Sequence, residues 1–171
     1  TVGMLNDTHY NEGKDTTVAT TGDRIRLRVA FEEKLAVEPT VEVIGEDGTV
    51  TEVSCTYREQ TSKPENNYYM YMADFTLTDE MNLPEGPIQV RISGYADAAG
   101  NVGKTLTNAD LKYPGIDQGV EYDKTAPTAD FVEFTTTNKN NQYAKVGDQV
   151  WVKVRIKEEL SKYPVIKING M

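Results

Sequence analysis

The sequence is poor in the residues that build most catalytic and metal sites. It holds one cysteine, Cys55, and one histidine, His9. A single cysteine excludes a disulfide within the chain and a zinc cluster built on several thiolates. His9 stands among Asn, Asp, Thr and Tyr, with no nucleophile or orienting partner marked beside it, so we expect a loop histidine and no enzyme.

Positive charge and long apolar runs are also scarce. The chain has 18 Lys and Arg against 27 Asp and Glu, a net charge of −9. A surface this acidic does not neutralise phosphates, so nucleic acid is not an expected partner. No apolar stretch is long enough to span a bilayer, and no signal-peptide pattern follows Thr1. We expect no membrane span, and a chain that is part of a longer protein.

A helical period is missing too, and a two-residue period takes its place. Apolar residues alternate with polar ones over residues 25–31, 41–43, 53–57, 69–77 and 88–92. This alternation is typical of half-buried antiparallel strands. Glycine, proline and asparagine turns separate the strands. The pattern predicts an all-β chain of short strands arranged as a sandwich.

The same alternation assigns individual side chains to the two sides of a strand. Cys55 falls on the apolar side, where a small core residue is expected. Arg24, Arg26 and Arg28 fall on the opposite side of the strand at 25–31, and we expect them to form a solvated face.

The sequence also contains a repeat. Residues 22–45, GDRIRLRVAFEEKLAVEPTVEVIG, align without gaps with residues 147–170, GDQVWVKVRIKEELSKYPVIKING, about 125 positions later. The identical pairs are Gly22/Gly147, Asp23/Asp148, Val29/Val154, Glu33/Glu158, Leu35/Leu160, Pro39/Pro164 and Gly45/Gly170. The apolar register agrees as well, since residues 25, 27, 29 and 31 match residues 150, 152, 154 and 156. Both stretches are therefore predicted to form equivalent strands.

Two motifs resemble the repeat boundary of bacterial immunoglobulin-like domains. GYADAAGNVG at 94–103 is similar to the Asp-x-x-Gly-Asn hairpin that joins the last two strands of such a repeat. EYDKTAPTADF at 121–131 is similar to the Asp-x-Thr-Ala-Pro-Thr linker that opens the next one. The Gly-Asp pair at 22–23 and LPEG at 83–86 fit the same pattern.

The resemblance implies a fold and a domain organisation. Residues 1–123 are expected to form one complete immunoglobulin-like antiparallel β-sandwich repeat, and residues 124–127 a linker. Residues 128–171 are expected to be an incomplete second repeat, because they have room for about three strands where a complete domain uses about seven. Ile166 and Ile168 are expected to share the apolar face of that second sheet.

The resemblance also implies a function without catalysis. Such repeats commonly form stalks and adhesive rods of secreted or cell-surface proteins. We therefore expect an extracellular spacer or adhesive module that contacts neighbouring repeats and binds a host protein, a cell-surface protein or a glycan. One alternative is a carbohydrate-binding sandwich of a secreted glycan-active protein. Another is a structural subunit that exchanges strands. The strands missing from the second repeat would come from a second copy of the chain, a separate polypeptide or a continuation of the chain.

The loop at 96–103 admits two interpretations. In the structural one, the Asp97 carboxylate accepts hydrogen bonds from backbone N–H groups just ahead, while Gly100 and Asn101 tolerate the positive φ that a tight hairpin requires. In the other, the loop binds calcium, which takes six to eight oxygen ligands, readily from the carboxylates and backbone carbonyls of a loop. The resemblance implies that junctions between such repeats bind calcium, with Asp97 and Asp123 at the matching positions. The two carboxylates approach each other only if the hairpin and the linker share one end of the sandwich.

A contact surface is the last candidate site. If Tyr69 and Tyr71 face inward, then Tyr68, Met70 and Met72 form an outward stripe. Such a stripe fits a partner protein, a neighbouring repeat or a sugar ring. The alternative is that the loops at 61–67 or 106–119 cover it. Tyr95 is also expected to face outward, and it would join Tyr68 in a sugar-binding platform.

Overall fold

The computed structural model describes residues 1–58, 68–112, 119–158, 160 and 162–167. The chain divides into two compact units, Thr1–Lys124 and Thr125–Met171. Strands make up nearly all of the regular structure in the described residues, which confirms the all-β prediction.

The first unit contains short strands in the following order: β1 (Val2–Asn6), β2 (Val18–Ala19), β3 (Arg24–Phe31), β4 (Thr40–Ile44), β5 (Val50–Ser54), β6 (Thr56–Arg58), β7 (Tyr69–Thr76), β8 (Gly86–Pro87), β9 (Gln89–Ser93), β10 (Leu106–Thr107) and β11 (Glu121–Tyr122). One helix, α1 (Asp7–Glu12), follows β1. Two 3₁₀ turns span Asp79–Met81 and Asn108–Asp110.

Two antiparallel four-stranded sheets give the first unit a sandwich-like architecture. The first sheet has the strand order β1-β3-β7-β6, and the second has the order β10-β9-β4-β5. The chain changes sheet at Cys55, which separates β5 from β6. A small third sheet pairs β11 parallel to β2 and antiparallel to β8.

The core of the first unit consists of the predicted alternating side chains. Ile25, Leu27 and Val29 of β3 are fully buried, and they belong to one cluster with the inward residues of β4 and β9. Each such side chain contributes about 1.5–3 kcal/mol of hydrophobic stabilisation. Cys55 is buried in the same cluster, as predicted. The inward prediction for Tyr71 is confirmed too, and its hydroxyl accepts a hydrogen bond from the Leu35 backbone N–H at 2.9 Å.

The alternation of strands did not predict α1. Its six residues are too few to show a helical period. The signals that define it are its caps, because Asn6 accepts from the His9 N–H and Gly13 ends the helix at φ 69°. The helix buries Asp7 against Arg24 of β3, so this part of the arginine face is paired with a carboxylate and is not simply solvated.

The second unit is built around two strands, β12 (Ala129–Thr136) and β13 (Val150–Ile156). They pair antiparallel, with Val132 opposite Val154 and Phe134 opposite Val152. The strand predicted at 150–156 is therefore confirmed. The prediction for Ile166 is wrong, because residues 162–167 form no strand. Ile168 and Gly170 lie outside the described residues.

Candidate functional site

A buried carboxylate closes the turn before β3. The Asp23 Oδ2 atom accepts from the Asn6 side-chain amide at 2.9 Å and from the Thr20 backbone N–H at 3.0 Å. Asn6 also donates to the Val18 carbonyl oxygen at 2.9 Å. Gly22 has φ 94°, a conformation that suits glycine. The carboxylate thus ties the end of β1 to the start of β3.

The second unit has a similar turn, although its asparagine lies two positions further along the chain, because Thr136 is the residue that pairs as Asn6 does. The Asp148 Oδ2 atom accepts from the Asn138 side-chain amide at 2.7 Å and from the Lys145 backbone N–H at 2.8 Å. These donors stabilise the carboxylate and hold the pKa of Asp148 below its usual range. Gly147 has φ 95°, almost the angle at the equivalent glycine of the first unit. We call both arrangements the Asn–Asp turn.

The ladder beside each Asn–Asp turn is also repeated. In the first unit β1 pairs with β3, and in the second β12 pairs with β13. The equivalent cross-strand pairs are Val2–Val29 with Val132–Val154, Met4–Leu27 with Phe134–Val152, and Asn6–Ile25 with Thr136–Val150. The sequence alignment identified the aspartates and the β3 and β13 residues. It missed the asparagines, because the loops between the paired strands differ in length.

The two hairpins differ in what covers their apolar side. The β3 residues of the first unit are buried by the second sheet. In the second unit Val132, Phe134 and Val150 are 54%, 64% and 45% exposed, and Val152 and Val154 are partly buried. We call these five residues the open face. A contiguous apolar surface of this kind is typical of an interaction site.

The loop at 96–103 is a hydrogen-bonded turn, as the structural interpretation predicted. The Asp97 carboxylate accepts from the Asn101 amide at 2.8 Å and from the Asn101 and Ala99 backbone N–H groups at 2.8 and 2.9 Å. These bonds lower the pKa of Asp97, the Asn101 side chain most of all. Gly100 adopts the positive φ of the turn, at 88°, whereas Asn101 does not have a positive φ. Asn101 stabilises the turn through its two donors instead.

Asp97 and Asp123 do not lie at the same end of the sandwich. The Asp97 turn follows Tyr95, whose ring packs 4.8 Å from that of Phe31, the last residue of β3. The Asp123 backbone N–H donates to the carbonyl oxygen of Ala19, which lies before Arg24, the first residue of β3. The eight residues of β3 span about 23 Å, whereas calcium–oxygen distances are about 2.5 Å. One ion therefore cannot bind both carboxylates of this unit, whereas calcium binding as such stays a prediction.

No other metal cluster replaces that pair among the residues that the structure describes. There, no group of three or more His, Cys, Asp or Glu side chains is close enough to hold an ion. His9, which lies on α1, directs Nδ1 to the Asp15 carbonyl oxygen at 2.6 Å and Nε2 to Asp23 Oδ2 at 3.5 Å. Both of its ring nitrogens thus face the loop that the Asn–Asp turn closes.

Tyr95 is buried and cannot form a platform with Tyr68, contrary to the prediction. Its hydroxyl donates to the Lys104 carbonyl oxygen at 2.7 Å, and the Gly103 N–H donates to its carbonyl at 2.9 Å. The chain thus folds back after the Asp97 turn and covers the tyrosine ring. Alternation along β9 could not predict that Tyr95 is buried, because the ring is covered by the segment that follows the Asp97 turn.

The predicted stripe at 68–72 is only partly exposed. Tyr68 is 40% exposed, but Met70 is buried, which corrects the outward stripe. Met70 lies in an interior strand between Ala30 of β3 and Arg58 of β6. Met72 is half-buried. Of the loops expected to cover the stripe, 61–67 and the 113–118 part of 106–119 lie outside the described residues.

Comparison of the chain with protein-family models, curated proteins and solved structures finds no significant match. Within the described ranges, no helix has the length and apolar character needed to cross a membrane.

Proposed function

We propose that this chain is a non-catalytic, immunoglobulin-like module of an extracellular or cell-surface bacterial protein, where it acts as a spacer or adhesive rod. Its two units are successive repeats in this proposal. The motifs at 94–103 and 121–131 support the family, and the Asn–Asp turn that occurs in both units supports the repeat.

One observation carries the spacer role: the chain enters the first unit at one end of the sandwich and leaves it at the other. The Thr1 amino group donates to the Ala30 carbonyl oxygen at 3.0 Å, beside the last residue of β3. Lys124 follows β11, which pairs with β2 at the other end, and its side-chain Nζ donates to the Leu83 carbonyl oxygen at 3.2 Å. A repeat whose two chain ends lie at opposite ends suits a spacer, because it adds its own length to the chain.

The pairing of the terminal strands also suits a load-bearing unit. β1 runs antiparallel to β3 over five residue pairs, and β11 runs parallel to β2. A force between the two ends of the unit is directed along both ladders. It loads the hydrogen bonds of each ladder together, so that no single bond has to break first.

Single-molecule stretching tests this role. Handles at residues 1 and 124 should give one cooperative unfolding event that releases about 40 nm of chain. The control has handles at residues 1 and 100, which lie at the same end of the sandwich, and it should unfold at a force several times lower. Equal forces in the two directions would contradict the spacer role.

The open face favours a second role, assembly with another copy of the chain. Two such faces can pack together across a two-fold axis, since the apolar residues of one complement those of the other. We expect the weight-average mass in light scattering to rise with concentration. Val152→Asp should abolish the rise, whereas Lys153→Gln, on the opposite face of the same strand, should not. A chain that stays monomeric throughout would exclude this role.

A further inference from the structure

Two arginines on the outer side of the first sheet have no carboxylate partner among the residues that the structure describes. The chain has six arginines, and four of them form ion pairs, which are Arg24–Asp7, Arg26–Asp74, Arg91–Glu42 and Arg155–Asp130. In the described part of the chain, Arg28 and Arg58 form none. The two arginines without an ion pair to a described residue are therefore both in the same sheet.

The strand register places these two arginines on either side of β7. Arg28 lies opposite Met72, and Arg58 lies opposite Met70. With neighbouring strands about 4.8 Å apart, the two Cα atoms are about 12 Å apart. Arginine side chains are long enough for both guanidinium groups to reach one ligand group above β7. Arg58 also contributes to the lowered pKa of Asp74, next along the same face, although the hydrogen bond from Arg26 contributes most.

The Nε atom of Arg28 is buried and has no hydrogen-bond acceptor. An unsatisfied buried donor is unfavourable, and such groups in native proteins are normally paired. An acceptor supplied by a ligand would satisfy the Arg28 guanidinium. Arginine presents its donors in a planar fork that matches the two oxygens of a carboxylate.

An exposed aromatic ring lies beside the two arginines. The alternation of β7, continued by one residue, puts Tyr68 on the same side as Met70. Tyr68 is 40% exposed, whereas Met70 is buried. Tyrosine rings pack against the apolar side of flat ligands and keep a hydroxyl for hydrogen bonding.

We propose that the face formed by Arg28, Arg58, Tyr68 and Met72 binds an acidic oligosaccharide that contains uronic acid. The carboxylate of one sugar accepts hydrogen bonds from the two guanidinium groups, and a neighbouring ring packs on Tyr68. This proposal rests on the adhesive role above and names its ligand class. A peptide bound as an added strand is less favoured above β7, because this strand already pairs with β3 on one side and with β6 on the other.

The overall charge of the chain makes the proposal specific. A chain of net charge −9 repels polyanions in general, so binding has to come from a local site. The binding constant should fall as salt rises, because charged groups make the contact. The number of sites should be one per chain.

Isothermal titration of the full chain with a galacturonate hexamer tests this site. We expect saturable binding that Arg28→Gln and Arg58→Gln each weaken at least tenfold, and that Arg28→Lys weakens almost as much because it keeps the charge but loses the fork. Arg91→Gln, on the second sheet, should bind like the unmodified chain. Tyr68→Ala should weaken binding, and Tyr10→Ala, at another exposed tyrosine, should not. Circular dichroism checks that each variant is folded.

Three outcomes would overturn the proposal: no binding of the hexamer, equal loss in Arg91→Gln, or equal binding of an oligoglutamate peptide. A sulfated galactan hexamer, which carries sulfates but no uronic acid, distinguishes a sulfate ligand from a carboxylate, and tighter binding of that hexamer would contradict the uronic-acid assignment. The stretching experiment with residues 1 and 124 as handles does not depend on these arginines. A failed titration with a normal unfolding force would therefore reject the ligand and keep the spacer role.

Discussion

Gly103 lies directly against the ring of Tyr95, and this contact predicts a large effect of one methyl group. A Cβ atom at position 103 would be 1.8 Å from ring atom Cε2, and 2.3 and 2.5 Å from two further ring atoms. The backbone of Gly103 is not left-handed, so alanine has no conformational penalty there. We expect Gly103→Ala to lower the free energy of unfolding of the first unit by about 3 kcal/mol.

The surroundings of the ring set this magnitude. Tyr95 is 7% exposed, with Phe31 on one side and the hydrogen bond to the Lys104 carbonyl oxygen at its tip. The ring cannot withdraw from the new methyl group without losing these contacts. Overpacking a core typically costs about 1–3 kcal/mol. The loss of the hydroxyl hydrogen bond adds about 1 kcal/mol.

Urea unfolding followed by circular dichroism measures the effect, and a double-mutant cycle tests its cause. In a Tyr95→Leu background the ring is gone, so Gly103→Ala should lower the free energy of unfolding by less than about 0.5 kcal/mol. Gly100→Ala is the control. It should cost about 1 kcal/mol in both backgrounds, because φ 88° disfavours alanine and no atom lies near its Cβ. An equal loss for Gly103→Ala in the two backgrounds would refute the argument.

Three other predictions concern single side chains. Asn138→Ala should raise the pKa of Asp148 towards its ordinary value. The lowered pKa stabilises the fold above the ordinary pKa, and this contribution is lost as the pH falls through the folded pKa, so the variant should have less of it. An unchanged Asp148 titration in carboxyl NMR would contradict this. Burial raises the pKa of Cys55 to about 12, so at pH 8 a thiol reagent should label the native chain about a hundredfold more slowly than the urea-unfolded chain; equal rates would exclude a buried thiol. Asp7→Ala should lower the free energy of unfolding by about 2 kcal/mol. The loss is smaller than for a fully buried ion pair, because Arg24 is half-exposed and can be hydrated when Asp7 is removed. An unchanged urea midpoint would show that the ion pair does not stabilise the fold.

The sequence predicted what depends on neighbouring positions along one strand. Alternation identified β3 and β13, and it assigned Leu27 and Cys55 to the core, because the side-chain period of a strand is a local property. It also indicated which way Met70 points. It could not indicate that Met70 is buried, since its neighbours in β3 and β6 are distant in the sequence.

The candidate sites show the same limit. The Asp97 turn was predictable, because its donors lie within four residues of the carboxylate. The pairing of Asp97 with Asp123 was not, because it requires knowing at which end of the sandwich each one lies. The Asn–Asp turn joins Asn6 to a carboxylate 17 positions later, and no motif of short spacing marks it.

That turn also determines where the module can accept new sequence. The asparagine and the aspartate are 17 positions apart in one unit and 10 apart in the other, yet the bond between them is the same. Lengthening a flexible loop by this amount costs only about 0.5 kcal/mol of closure entropy. The segment between the two residues is therefore an insertion point. A helix or an epitope can be gained there in evolution, and a peptide tag can be inserted there by engineering, while the strands on either side keep their register.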